Sequence, residues 1–491
     1  MNLSISQIEE MIAKATGLAN KATISTGTNV VAYDLEPLLK QVYPVLTPFR
    51  NKHLPRRTSQ RGGTFFTAKL LTAISSVSGN IGIQEGARGR NVGLNEQDLA
   101  VYYRTVGQDA SSTFESEDAA ESFDDARAIA AITLLNANLI QEELLTLFGN
   151  GGNISRLGGS QQTALGTPTA PVLTGANTGG TIAAATYLCW VVALTYFGLQ
   201  NSTVAGGVPT QYNVTTNDGV AQVINGGSSN VSASSNSQAI TGTGTLTATV
   251  AAVPGAFGYA WFIGTSKGAA ALAAVTPVNT MTITAPPAGT QVATAITADN
   301  SIDSFVYDGL ITQVQQSNSG AYVKSLNGAN LTASTAAGVN EIDAALLYMY
   351  NNYRLGPDFI YCDSGTSLPI NSRVISGGGA PLFRFNEPGD GTSVAGNKTV
   401  KSYFNRFTGQ MIPIEVHPYF PQGTIFGACE KLPYTTDNVP IPYRLQARSR
   451  DWTEYEWPLV TRTRARGQYV SAGLISYTPW SNFLIQNAGQ S

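Results

Sequence analysis

The sequence predicts an α+β fold that carries an inserted all-β sandwich. Three observations lead there. Residues 168–298 hold only two charged side chains, Asp218 and Lys267, whereas 12% of the whole chain is charged. A drop that sharp marks a separate unit. Before it runs the longest helix pattern in the chain, with apolar residues three and four apart. After it come a helix–strand unit and a set of closing strands. The two flanks therefore read as one body interrupted by an insertion.

Residues 1–55 read as an N-terminal arm. A short amphipathic helix is predicted on Ile5, Ile8 and Ile12, followed by an extended stretch with Pro37, Pro44, Pro48 and Pro55. Residues 56–110 read as an extended hairpin. Its strands are predicted at 63–71 and 99–106. The polar stretch 75–97 between them is rich in Gly and Ser and carries Glu85, Arg88 and Arg90. A two-stranded ribbon is marginal alone in water, so it calls for another surface, and another chain is the natural one.

Residues 111–167 hold the long helix. Ser112 is the expected N-cap, with Glu115 at capping-box spacing. Glu117, Asp118, Glu121, Asp124 and Asp125 suit the positive end of the helix dipole. The pattern runs to Phe148 and stops at Gly149, a rod of roughly 50 Å. The glycine run 149–152 reads as a hinge or loop tip.

In the insertion, 168–299, apolar runs at 187–194, 211–215, 246–250 and 259–263 are broken by Gly and Asn. Short strands with turn signals predict a β-sandwich. The run 253–262 resembles a strand–turn–strand segment of fibronectin-type or immunoglobulin-like modules, without a Cys…Trp…Cys spacing behind it. Downstream, Asn340 is the expected cap of a second helix with the stripe Ile342, Ala345, Leu346, Met349 and Tyr353, ended by Gly356-Pro357. Residues 358–363 read as a buried strand, and 443–450, 454–463 and 468–477 as closing strands.

Composition narrows the function. The formal charge is −3, from 29 basic and 32 acidic residues, so no strong field draws the chain to nucleic acid or anionic lipid. Cys189, Cys362 and Cys429 form no CxxC pair, which argues against a disulfide framework or zinc ribbon. His53 and His417 have no second ligand at metal spacing. Phosphate-loop and dinucleotide-binding motifs are missing. Residues 1–21 lack the apolar core of a signal peptide. The apolar stretch 182–197 falls short of the ~20 residues that cross a bilayer. No catalytic residue, metal ligand, cofactor or membrane contact is expected, and the protein is expected to be made in the cytoplasm.

One charge pattern stands out. Arg462, Arg464 and Arg466 alternate with Thr and Ala, so on a strand they share a face. Their repulsion favours an acidic partner: Glu454 and Glu456 across the sheet, carboxylates of a neighbouring subunit, or phosphate. Arg56, Arg57 and Arg61 at the hairpin base pose the same question. Together with Glu85, Arg88 and Arg90 these are the candidate intersubunit contacts.

An arm, a long hairpin, a long helix, an α+β domain and returning strands, in this order, resemble the major capsid proteins of tailed bacteriophages with the HK97-type fold. The stretches 305–313 (FVYDGLITQ), 357–363 (PDFIYCD) and 414–424 (IEVHPYFPQGT) strengthen the resemblance, which covers 1–167 and 300–491. By that resemblance the hairpin is the loop that lies over a neighbouring subunit, and 111–167 holds the spine helix of the peripheral domain. Residues 300–430 correspond to the axial domain, 431–470 to a return into the peripheral domain, and 471–491 to the end of the axial domain.

The family forms pentamers and hexamers that tile an icosahedral shell. The resemblance implies a homo-oligomer located in the virion and assembled in the host bacterial cytoplasm. It further implies separate scaffolding and portal proteins, and double-stranded DNA enclosed without sequence-specific binding. The uncharged insertion is expected on the outer face, with a possible glycan or decoration partner. The alternative is a carbohydrate- or cell-surface-binding structural protein that binds through its β-sandwich, with Trp190, Trp261 or Tyr259 as a stacking platform.

Overall fold

The computed structural model describes residues 46–59, 62–75, 82–88, 93–120, 125–156, 164–334, 338–376, 401–433 and 440–489. The body is built on two sheets. In the first, Arg56–Thr58 lies parallel to Tyr443–Ala447, which pairs antiparallel with the long strand Thr463–Ser476. Thr453–Glu456 continues along that same edge, and Arg104–Thr113 covers the opposite edge from Thr463 to Ala472. In the second sheet the order is Tyr322–Ser325, Asn482–Gln486, Ile425–Ala428, Phe359–Cys362, Met411–Val416, Ser402–Phe404. The helix Asn340–Tyr353 buries the predicted residues Ile342, Ala345, Leu346 and Met349 in this second lobe. It ends at Arg354, which takes the left-handed conformation at φ 59°, two residues before the expected stop.

The long helix starts later than its charge pattern suggested. Ser112 does not cap it: that residue sits in Arg104–Thr113, paired with Arg464, and its hydroxyl donates to Glu117. A short helix, Phe114–Ala120, follows. The long helix spans Ala126–Phe148, about 35 Å. Asp125 is its N-cap, accepting from the backbone N–H groups of Arg127 and Ala128. Pairing with a neighbour 350 residues away outcompeted the local capping signal.

The hairpin is also more compact than its assigned span. Phe65–Ser75 pairs with Gly93–Tyr102. Arg56–Thr58 and Arg104–Thr113, at either end of the assigned hairpin, belong to the first body sheet instead. Likewise Thr463–Ser476 runs unbroken past residue 470, because residues 472–476 keep pairing with Tyr443–Ala447. The chain changes lobes at Pro479–Ser481.

The glycine run 149–152 is neither a hinge nor a loop tip. A Cβ on Gly151 would meet the Val306 carbonyl oxygen at 1.9 Å, and Gly152 has φ 58°. The run is buried against 305–309. Asp308, itself wholly buried, accepts from the N–H groups of Gly151, Gly152 and Asn153 at 2.8–2.9 Å. The next residues form the fully buried helix Leu310–Gln315. Its Gln313 amide bonds Leu474 and Ser476 of the first sheet, and Gln315 bonds Gln486 of the second. The stretch 305–313 is thus the plug between the lobes. Leu145, Leu147, Phe148, Tyr307, Leu310, Ile311, Phe359 and Leu474 close over it, each apolar side chain contributing about 1.5–3 kcal/mol on burial.

The insertion is a two-layer sandwich. One sheet has the order Gln238–Ile240, Ala185–Leu194, Gly258–Gly264, Ala271–Thr276; the other Thr280–Ile283, Thr245–Thr249, Val172–Ala176. Leu173, Val191, Leu246, Ala248, Trp261 and Met281 pack between them. The expected apolar stretch 182–197 is mostly the central strand Ala185–Leu194. The hairpin Gln211–Thr215 with Ala221–Asn225 stands apart. Leaving that hairpin aside, the second, third, fifth and sixth strands share a sheet. In an immunoglobulin constant domain the first, second, fourth and fifth do. The likeness to such modules therefore stops at the two-layer sandwich.

The ends of the insertion are clasped: Gly166 N–H donates to Asp299 at 2.6 Å and Leu165 N–H to Ser301 Oγ at 2.9 Å.

Candidate assembly surfaces and the anchor of the N-terminal segment

The ribbon is the first candidate surface. A third strand, Ile154–Arg156, supports it only at Leu99–Val101. Beyond that point its two strands pair with each other alone among the described residues. At about 3.4 Å per residue the 11-residue strand reaches roughly 37 Å. At the base Phe65 and Tyr102 face each other half-exposed, with ring centroids 5.5 Å apart. Nearer the tip Glu85 and Arg88 are exposed beside a turn at Gln84–Ala87. Arg61 and Arg90 lie outside the described residues, as does the arm over 1–45.

The arginine series finds its acids within the chain. Arg462 meets Glu115 at 2.9 Å, Arg464 meets Glu117 at 3.5 Å, and Arg466 meets Glu454 at 3.2 Å. Arg464 also lies over the Phe114 ring, 5.4 Å from its centroid. Of the three partners left open by the sequence, local carboxylates on the preceding short helix and across the sheet are the ones present. The first of these pairs is exposed and the other two half-exposed, and surface pairs are worth about 0–1 kcal/mol each.

Arg56 is not a hairpin-base contact. It reaches inward to Glu142 at 2.5 Å and also pairs with Asp451. Burial alone would lower its pKa, but the two carboxylates outweigh that and hold it above the ordinary arginine value. Arg57, next in the strand, is exposed.

Sequence reasoning missed the centre of this arrangement. Glu142 and Glu143, on the last turns of the long helix, are 1% and 0% exposed. Glu142 accepts from Arg50 Nε at 2.6 Å, Arg56 and Trp452 Nε1. Glu143 accepts from the backbone N–H groups of Phe49 and Arg50 at 2.9 and 2.7 Å, and from His417 Nε2 at 2.8 Å. The short helix Pro48–Lys52 is thereby locked onto the long helix, with Phe49 buried against Tyr443 and Phe359. His53, the other histidine, stacks on Phe359 at 3.9 Å and meets Glu430. Two adjacent glutamates at the apolar end of a helix were the available signal: burial there demands partners.

The insertion touches the body at separate places. Tyr196 stacks on Phe148 at 4.1 Å and 8°, with Phe257 edge-on to Phe148 at 5.1 Å. Asn279 bonds Asn327 at 2.6 Å and Asn487 at 3.2 Å. The tip of the 211–225 hairpin reaches Asp109 through Asn217 at 3.5 Å. Trp190, Tyr259 and Trp261 are all buried in the sandwich, so the proposed aromatic stacking platform is core. The three thiols are buried as well; burial pushes Cys362 up to about 12 and Cys189 and Cys429 higher still.

No protein-family model matches the chain, and no curated protein matches its sequence. Among solved structures it is similar to the capsid of a native GTA particle, at 9% identity over 96% of this chain and 99% of that one, TM-score 0.42. It is also similar to the capsid of Myoviridae phage XM1, at 8% identity over 94% and 99%, TM-score 0.40. A third is the holo-SrpI encapsulin complex of Synechococcus elongatus PCC 7942, at 8% identity over 100% and 98%, TM-score 0.38. At such scores these similarities establish neither family nor function.

Proposed function

We propose that this chain is a shell-building protein, the major capsid protein of a tailed bacteriophage with an HK97-type fold. In this reading it associates into pentamers and hexamers that close an icosahedral head around the genome. The observation that carries the reading is the ribbon Phe65–Ser75/Gly93–Tyr102. Its two strands pair from end to end save for one register shift between Leu71 and Ala73, yet only its base has a third strand. Such an element is stable when a further surface covers it, and in a repeated assembly each copy offers that surface to the next. The two-lobed body joined by a buried plug, with a long helix along one sheet, suits a plate that packs edge to edge.

The ribbon is the main intersubunit element, with Glu85, Arg88 and Arg57 as exposed contacts. The insertion lies on the outer face, since an uncharged module gains little beside packaged phosphate. Scaffolding and portal proteins act as separate chains. Negative-stain microscopy of purified protein should show capsomer rings or shells. Removing residues 75–97 should leave soluble protein that forms neither; normal shells from that variant would overturn the proposal.

A further inference from the structure

We propose that a shallow pocket at the start of the long helix Ala126–Phe148 binds a phosphate group. The pocket lies where the first turns of that helix meet the paired strands Arg104–Thr113 and Thr463–Ser476. Small side chains on both sides, Ala110 and Ser112 on the strand and Ala130 and Ala131 on the helix, leave the space open. The guanidiniums of Arg127, Arg464 and Arg466 line it. Three like charges gathered in this way repel one another unless anions lie between them.

The chain's own carboxylates fill that need only in part. Glu454 and Glu456 are 45% and 62% exposed, at the rim, where water and salt screen them. The Arg464 side chain makes no hydrogen bond among the described residues. Arg127 and Arg466 make one each through their side chains, to Glu456 at 3.4 Å and to Glu454 at 3.2 Å. The Nε atoms of Arg127 and Arg464 are buried and unpartnered. Glu117 stands 3.9 and 3.5 Å from them, too far for a charge-assisted hydrogen bond. The Ser112 hydroxyl, donating to Glu117 at 2.6 Å, keeps it at that distance.

The donors name the class of ligand. A guanidinium presents its N–H groups as a planar fork that matches the oxygens of an oxyanion. A tetrahedral phosphate offers more oxygens than a carboxylate and can meet forks arriving from the helix and from the strand together. Arg464 is already oriented, lying over the Phe114 ring at 5.4 Å from its centroid. The helix terminus itself is satisfied, because Asp125 accepts from the N–H groups of Arg127 and Ala128. The attraction therefore rests on the arginines, with Glu117 as the internal competitor. The phosphate can be free in solution or part of a nucleic-acid backbone, since both carry the same oxyanion. The inference does not depend on the shell reading.

The experiment is calorimetric titration of the full chain with inorganic phosphate at constant ionic strength, with chloride as the reference anion. Saturable binding is expected. Arg127→Gln and Arg464→Gln should each weaken it at least about tenfold. Arg464→Lys, which keeps the charge and loses the fork, should weaken it at least about threefold. Glu117→Gln should tighten it, because the competing carboxylate is gone. Arg450→Gln, at an exposed arginine that does not line the pocket, should leave it unchanged. Circular dichroism would verify that each variant is folded. Lack of saturable phosphate binding by the unsubstituted protein would overturn the inference. So would binding that survives both glutamine variants of the arginines, or that Glu117→Gln weakens. A short DNA duplex added as competitor separates the two sources, and either result supports the site: displacement of phosphate assigns it to a nucleic-acid backbone, and phosphate retained assigns it to the free ion.

Discussion

His417 and Glu143, both wholly buried, meet at 2.8 Å with the imidazole donating through Nε2. The other ring nitrogen, Nδ1, accepts from the Tyr419 N–H at 3.3 Å, which assigns the neutral tautomer protonated on Nε2. One carboxylate thus joins the long helix, the second lobe and the segment that precedes the first strand. Glu143→Ala should strand three donors in a dry core. We expect a loss of about 3–5 kcal/mol in urea unfolding, and a cost below about 1 kcal/mol would show the clasp to be dispensable.

Asp308 sets a pH dependence of unusual sign. Burial pushes its carboxyl up to about 6, against the four backbone N–H groups that favour the charged form. A raised folded pKa means the native state holds its proton more tightly than the unfolded chain does. The contribution of this group therefore improves as pH falls from about 6 toward 4. Asp451 opposes it. Burial raises its pKa, but Arg56 outweighs burial and keeps it below the ordinary range, so its contribution is lost only in stronger acid. Relative to Asp308→Asn, the unsubstituted protein should gain stability between pH 7 and 5 in denaturant titrations. A pH-independent difference would refute the assignment.

The junction of insertion and body rests on Phe148. Truncation to alanine empties the stack with Tyr196 and the edge contact with Phe257, and we expect a cost of about 3–5 kcal/mol. Cleavage by a protease near residues 164–167 should speed up alongside, because the insertion loses its aromatic foothold.

By contrast, replacing Arg462, Arg464 and Arg466 together by alanine should change the stability of the dispersed chain by no more than about 2 kcal/mol, since one pair is exposed and the other two lie half-exposed at the surface. If that variant still forms shells, the series is a local charge device; failure to assemble with unchanged stability would make it an intersubunit contact.

What the sequence determined by itself was carried by strong, local periodicities. The uncharged sandwich, the end of the long helix at Phe148, the stripe of the helix Asn340–Tyr353 and the buried strand at 359–362 follow from spacing and composition. The three stretches that carried the family resemblance meet at the lobe junction, where Asp308, Tyr361 and His417 are buried. Tertiary structure alone decided the rest. Arg104–Thr113 became a strand because Thr463–Ser476 offered it ten residues of ladder, a partner no window along the chain contains. Arg56 turned inward because the buried Glu142 and the half-exposed Asp451, carboxylates from distant segments, outweighed its desolvation. Glu142 and Glu143 became an anchor for the same reason: a charge enters a core only where the fold assembles its partners, and those partners come from residues 49, 50, 56, 417 and 452.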